Sequence, residues 1–452
     1  MKRCRAIAVI LAASLMLVSC YDNREIDETA YIIAVGIDPQ TDSDYKYTFQ
    51  FSAPLATVEG GESGGGGESD ENQTVNNVII KAADFYIAKN MLNNFLSKNI
   101  DMSSLKLIVF SRKLSTNDFL KHSQLFLRER EVRPHTCLAV AEEDAEGFLK
   151  SVNPELEANT AKYYELMALR SNNVYAPVKR LGDFISETEN ISHCSVLPIA
   201  CISRYESSDE FGAADEIWGE GETNKSPQSE NKTLQNADKA LQGADETKKT
   251  RPNTEENAHS ADETNKTLQS AVETPERWVK STDTRISSSR SDMRGMAVFV
   301  EGELVGEMNG DSAMVYNILN SDIKRCNISI RNKFNPGETV SFRVFVPKRA
   351  RFRVKRGGVC RISVETELKM EFLGTRLPEG YGSFGELYDD AKNETEKKIS
   401  EFLYYSARKL GADLLKTGRC YRKGFSTQKK LESADWETVY KNAEFSVSVN
   451  LI

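Results

Sequence analysis

Leu105-Lys-Leu-Ile-Val-Phe110, then Asn117 to Leu127, then Thr136 to Ala141, is the stretch that decides the fold class. The first piece is an apolar run of strand length, which fits a central strand. The second is apolar at helical intervals and carries Asp118 near its start, where an acid suits a helix N-terminus. The third is a second short apolar strand. Strand, helix and strand in succession predict a sheet with helices packed on it.

The same interleaving extends in both directions. Upstream, Tyr31 to Ile37 reads as a strand running into the turn Gly36-Ile37-Asp38-Pro39, and Tyr45, Tyr47, Phe49 and Phe51 alternate with polar residues as a half-buried strand does. Ala83, Ile87, Met91 and Phe95 recur at helical spacing within 82–98. Downstream, 144–149, 156–167 and 177–188 read as helices and 195–202 as a strand. Toward the C-terminus, Ala297 to Glu307 is a hairpin about the tight turn Glu301-Gly302. Further strands follow at Ile328 and Ile330, 340–346, 351–354 and 362–372, then a long amphipathic helix over 384–415 and a last strand over 444–451. The expected class is α+β, multi-domain, with mixed or antiparallel sheets flanked by helices.

Two segments lack a core. Gly60 to Asn72 is glycine-rich and acidic, without the Gly-Lys-Ser/Thr ending of a phosphate loop. Residues 206–290 carry 18 acids against 11 bases and few large apolar side chains. Asn-Lys-Thr-Leu-Gln occurs there at 231 and 265, and Ala-Asp-Glu-Thr at 244 and 261. This composition cannot bury a core and is expected to be a long disordered linker. The chain thus divides into a leader (1–19), an α+β region (20–205), the linker (206–290) and a C-terminal α+β domain (291–452).

Composition narrows the function. With 452 residues, 39% hydrophobic and a net charge of -8, the chain has enough apolar content for real cores. It is not a polytopic membrane protein, and its acidity argues against a general nucleic-acid binder. Ser103-Ser-Leu-Lys106 and Ser426-Thr-Gln-Lys429 match a Ser-x-x-Lys spacing without the companion elements of that chemistry. His122, His135 and His193 lack any nucleophile or metal frame, so no catalytic residue, metal or cofactor is expected. Cys137, Cys194, Cys201, Cys326, Cys360 and Cys420 show no Cys-x-x-Cys pair and read as buried thiols, with disulfide pairing left open.

The start sets the compartment. A basic opening (Met1-Lys-Arg-Cys-Arg5) precedes an apolar run from Ala6 to Val18, too short to span a bilayer. Leu17-Val-Ser-Cys20 looks like a bacterial lipobox, which implies cleavage after Ser19 and a diacylglyceryl thioether on Cys20. Far downstream, Arg349, Arg351, Arg353 and Lys355 share one face of a strand. The simplest account is a solvated edge strand guarded by charge; contact with an anionic lipid surface is the alternative.

These pieces resemble the C-subunit lipoproteins of spore nutrient germinant receptors. The resemblance rests on Leu17 to Ile26, Ala34-Val-Gly-Ile-Asp38, Ser104 to Phe110, Phe126 to Arg133, Leu181-Gly-Asp-Phe184 with Val196-Leu-Pro198, Arg294 to Val300 with Leu304-Val-Gly306, and Trp436 to Tyr440. Tyr21 stands where that family has tryptophan, 206–290 is longer than usual, and the chain ends at Ile452 without the usual short basic tail. What the resemblance implies is a non-enzymatic subunit of three α+β units, two within about 21–205 and one over about 291–452. It also implies an anchor in the inner spore membrane and two integral membrane partners. Direct nutrient contact is left open. An extracytoplasmic solute-binding lipoprotein is the alternative, although its two lobes are usually alike. A lipid-anchored cell-wall enzyme lacks a nucleophile, an acid pair or a metal frame.

Overall fold

In the computed structural model the described residues are 28–41, 44–52, 75–115, 117–152, 159–169, 173–189, 192–203, 277–278, 290–423, 425 and 435–452. The leader, Ser19, Cys20, the glycine-rich loop and most of 206–290 lie outside them.

β1 (Thr29–Pro39), β2 (Tyr45–Ser52) and β3 (Val75–Ala82) form an antiparallel meander. Helix α1 (Phe85–Phe95) follows, and short β4 (Asn99–Asp101) returns the chain parallel to the beginning of β1, Thr29 opposite Asn99. On the other side of β1 lie β5 (Leu107–Ser111), β6 (Cys137–Ala141) and β7 (Cys194–Ser203), all parallel. Parallel neighbours need crossovers, and helices supply them: α2 (Asp118–Arg128), α3 (Ala145–Ser151), α4 (Thr160–Leu169) and α5 (Leu181–Thr188). Both faces are covered, so Ile32 to Ile37 has no solvent side and β5 is an unbroken apolar run. On one face Val35, Ile37, Ile108 and Phe110 meet Phe85, Phe119 and Phe184 from α1, α2 and α5. On the other, Ile33, Ala34, Leu107 and Val109 meet Phe148, Leu149 and Tyr164 from α3 and α4.

This sheet continues past position 291. β8 (Arg290–Val300) runs antiparallel along β7, and β9 (Glu303–Met308) closes the sheet in the order β3-β2-β1-β5-β6-β7-β8-β9. The expected hairpin turn is present: Glu301 (φ 53) and Gly302 (φ 87) both adopt the left-handed conformation of a two-residue turn. β8 alternates as a strand should, with Ala297 and Phe299 in the first core and Met296 and Val298 in a third. The division expected near 291 therefore falls inside one sheet, and the described residues before 206 and from Arg277 onward make a single unit. Where the resemblance implied three units, the strands fall into two sheets.

Helix α6 (Gly310–Asn320) opens at Asn309, whose side chain accepts from the Ser312 amide. No periodicity announced this helix. Gly310, Asp311 and all of Ala313 to Leu319 are buried, so it has no polar face to mark it. Beyond it stand β10 (Arg325–Arg331), β11 (Thr339–Phe345), β12 (Arg351–Lys355) and β13 (Arg361–Phe372), antiparallel to one another, with the final strand β14 (Glu444–Leu451) parallel to β13. Helix α7 (Phe384–Arg408) buries Leu387, Ala391, Thr395, Ile399 and Phe402, the expected stripe. Ser383 caps it by accepting from the Glu386 amide, and Glu386 reaches back to the Gly382 amide. It stops short of the expected Leu415. A left-handed Gly411 (φ 64) turns the chain into a loop that ends at α8 (Gly418–Arg422), and α9 (Trp436–Lys441) leads into β14.

Arg277 and Trp278 lie inside the stretch expected to be linker, yet they are docked. Trp278 pairs with Ile330 and is 4% exposed. The Arg277 guanidinium grips Asp390 at 2.8 and 2.5 Å and reaches Glu394 at 3.3 Å. A bidentate fork on a carboxylate is the strong form of such a pair.

Candidate functional site

Three of the four expected bases lie on the exposed face of a strand, whereas Arg349 precedes it in the connection from β11. Arg351, Arg353 and Lys355 of β12 are exposed while Phe352 and Val354 turn toward the core. β12 pairs only with β13 among the described residues, which makes it an edge. Glutamates offset part of its charge: Arg353 meets Glu365 at 3.0 Å and Lys348 meets Glu367 at 2.7 Å. Arg349 lies over the Phe352 ring at 5.8 Å. Exposed pairs of this kind contribute little to stability.

A cleft of about 390 Å³ opens between β9, the start of α6 and α7, lined among others by Glu307, Ser312, Lys398, Glu401 and Tyr405. Desolvation raises the Glu307 carboxyl despite Arg112 at 2.8 Å. The lining offers both signs of charge, with no nucleophile paired to a base. Among the described residues no three His, Cys, Asp or Glu side chains gather as a metal would require. The six described cysteines are free thiols. Burial pushes Cys137 and Cys201 up to about 11 and Cys326 up to about 12, far from a reactive thiolate. His122 is fully buried between Tyr45 and Tyr47, with ring centroids 4.5 and 5.9 Å away.

Sequence reasoning missed a buried polar hub. Asp413, 2% exposed, accepts five hydrogen bonds: from the Ser192 hydroxyl (3.0 Å), the Thr417 amide and hydroxyl (both 2.9 Å), the Gly418 amide (2.7 Å) and the Trp436 indole (3.1 Å). Beside it Glu187 accepts from Lys179 at 2.7 Å, Lys416 at 2.5 Å and the Ser195 hydroxyl at 2.8 Å. Desolvation opposes the charges of Lys179, Glu187 and Lys416. Ion pairing outweighs it for Lys179, held above its ordinary range, and for Glu187, held below, while desolvation pulls Lys416 down. The hub ties α5 and β7 to the loop after α7. No local motif marks it, because its members come from positions more than 200 apart.

Two family models match, in order: the spore germination protein N-terminal domain over residues 22–201, and the spore germination B3/GerAC-like C-terminal domain over 294–452. The chain belongs to the spore germination GerAC-like family. Spore germination protein KC of Bacillus subtilis (strain 168) is 28% identical over 155 residues, 34% of this chain and 37% of that relative. The chain thus spans little more than a third of that curated relative's length. The crystal structure of the GerBC protein is similar over 92% of this chain and 96% of its own, at 13% identity and a TM-score of 0.45. So loose a likeness carries no weight beside the strands and helices described above.

The segments that carry the resemblance have physical work in this GerAC-like chain. In Ala34-Val-Gly-Ile-Asp38, Gly36 lets α3 lie close on β1: a Cβ there would sit 3.0 Å from Leu149 Cδ1 and 3.1 Å from Ala145 Cβ. Asp38 caps that helix, accepting from the Ala145 amide at 2.7 Å and the Glu146 amide at 3.0 Å. Within Phe126 to Arg133, Glu129 holds Lys89 of α1 at 2.9 Å and Phe126 packs on Phe85 with centroids 4.5 Å apart. Gly295 has φ 86, and a Cβ would fall 2.7 Å from the Met308 carbonyl oxygen. Trp436 serves the hub. These roles are structural.

Proposed function

We propose that the protein is the lipid-anchored, non-enzymatic C-subunit of a spore nutrient germinant receptor, required for nutrient-triggered germination. The leader is cleaved after Ser19, and a thioether on Cys20 holds the mature chain in the outer leaflet of the inner spore membrane. There it assembles with two integral membrane subunits. The observation that carries this reading is the ordered match of both family domains over 22–201 and 294–452. The Leu17-Val-Ser-Cys20 pattern supports the anchor, since a diacylglyceryl group supplies the two chains that stable attachment needs. No helix among the described residues is long and apolar enough to cross a membrane. The basic face of Arg349, Arg351, Arg353 and Lys355 is proposed as a charge-guarded edge, with anionic headgroups its alternative contact.

The test is dipicolinic acid release from spores lacking the gene, across a nutrient panel with a non-nutrient trigger as control. Loss of response to some nutrients, with the non-nutrient response intact, is expected. A full response to every nutrient in a strain stripped of other receptors would overturn the receptor role. Cys20→Ala is expected to release the protein from the membrane fraction and to weaken the nutrient response; unchanged fractionation and germination would remove the anchor.

A further inference from the structure

Helix α1 carries two apolar stripes, and only one is used inside. Phe85, Ala88 and Leu92 are buried in the first core. Ile87, Met91 and Phe95 form the second stripe, and they are 44%, 48% and 72% exposed, with Tyr86 beside them at 41%. Spaced four residues apart, the three lie in one line about 12 Å long on the outer face. A line of large exposed side chains on one helix marks a contact surface more than scattered single residues do.

Two observations say what meets it. The first is where the chain enters the fold. β4 begins at Asn99, four residues after Phe95, and Asn99 pairs with Thr29 at the start of β1. The C-terminal end of α1 therefore lies beside the point at which the N-terminal segment joins the sheet. Seven residues lie between Cys20 and Glu28, so the chain makes eight steps from one to the other. At full extension they span about 29 Å, so an anchored Cys20 keeps this end of the molecule close to the bilayer. The second is charge. Phe85 to Asn99 contains no acid, and of its two lysines Lys89 is held by Glu129 and Glu131 while Lys98 is exposed. Lys81 of β3, four residues before the helix, is exposed as well, and Asp84 between them caps the helix by accepting from the Ile87 amide.

We infer that the Ile87–Met91–Phe95 face of α1 lies in the headgroup–acyl boundary of an anionic phospholipid leaflet and sets the orientation of the tethered molecule on it. The inference rests on the Cys20 anchor proposed above and adds to it a second contact. An amphipathic helix lies in this way with its apolar side a few ångströms into the boundary, and the flanking Lys81 and Lys98 meet the headgroups. The tether supplies high local concentration, so a short apolar face suffices where it would not hold a free protein.

The test uses the full-length lipidated chain reconstituted in phosphatidylglycerol-containing vesicles, with ordinary or brominated acyl chains. Phe95→Trp adds a reporter at an exposed position, and Met91→Trp repeats it one turn away. The emission added by each substitution is expected to shift blue and to be quenched by brominated lipid, less so in vesicles of phosphatidylcholine alone. Phe334→Trp, at an exposed site in the second half (51%), is expected to show no quenching. Protein that floats with the vesicles while both α1 reporters stay unquenched keeps the anchor and overturns the membrane face. Reporters that shift blue without quenching, and only when the integral membrane subunits share the vesicles, overturn it in favour of a protein contact. Protein that does not float removes the anchor and this inference together.

Discussion

His122 shows how one side chain converts the fold into a pH dependence. Burial among Tyr45 and Tyr47 lowers its imidazole from 6.5 to about 4, and neither ring nitrogen has a partner. The unfolded chain takes up a proton there near 6.5 and the native chain only near 4, so acid favours the unfolded state. Stability is full above about pH 6.5 and falls as the pH drops toward 4, by something on the order of 3 kcal/mol. His122→Phe keeps an aromatic ring in the slot and removes the titration. Urea unfolding midpoints between about pH 7 and 4.5 are expected to fall for the parent and to hold nearly level for the variant at this site. An equally steep acid loss in both would place the proton uptake elsewhere. Without any catalytic frame the histidine read as a surface or packed residue, and the sequence did not choose between the two. Asp413 was not legible, since a carboxylate in a loop looks like solvent until Ser192 and Trp436 arrive from distant parts of the chain.

At the scale of elements, period and polarity told most of the story, and the exceptions share a cause. β1, β5 and β6 were visible as apolar runs because both their faces are covered, and α7 because only one of its faces is. α6 was invisible because it has no exposed face to set a period. α1 was seen, but through Ile87, Met91 and Phe95, the stripe that faces out; two apolar stripes on one helix cannot be ranked without knowing where the sheet lies. The Arg277–Trp278 anchor was hidden by the composition around it. Its ring is buried against the second sheet and its ladder partner is Ile330. Trp278→Ala removes that ring and leaves a void, which costs about 3 kcal/mol at sites of this kind. A lower urea midpoint at unchanged slope is expected. A midpoint equal to the parent's would mean that these two residues rest on the sheet without stabilising it.

Across the whole molecule, the two family domains share one sheet and one core. Cys194 to Ser203 pairs along Arg290 to Val300, so the ladder that joins β7 to β8 also joins residues before and after the intervening segment. Cys194 and Val196 share a core with α6, α7 and the second sheet. The Asn317 side chain donates to the carbonyls of Val174 and Ala176, and Lys416 reaches Glu187. Separating the halves would expose that core, break the buried Lys416–Glu187 pair and take Ser192 from Asp413, and removing one partner of a buried ion pair costs several kcal/mol. Against this, the covalent connection contributes only loop closure, about 4 kcal/mol for a segment of this length. A protease site placed between 206 and 276 and cut to completion should therefore leave the halves together. On size exclusion in native buffer the nicked protein is expected to elute as one species at the parent's volume, and to separate only in denaturant. Two species in native buffer would mean that the β7–β8 ladder and the hub are too weak to hold without the connection. In that case the boundary between the family domains would be a working hinge. Co-elution would show that the β7–β8 ladder, the shared core and the hub hold the two halves together without the covalent connection.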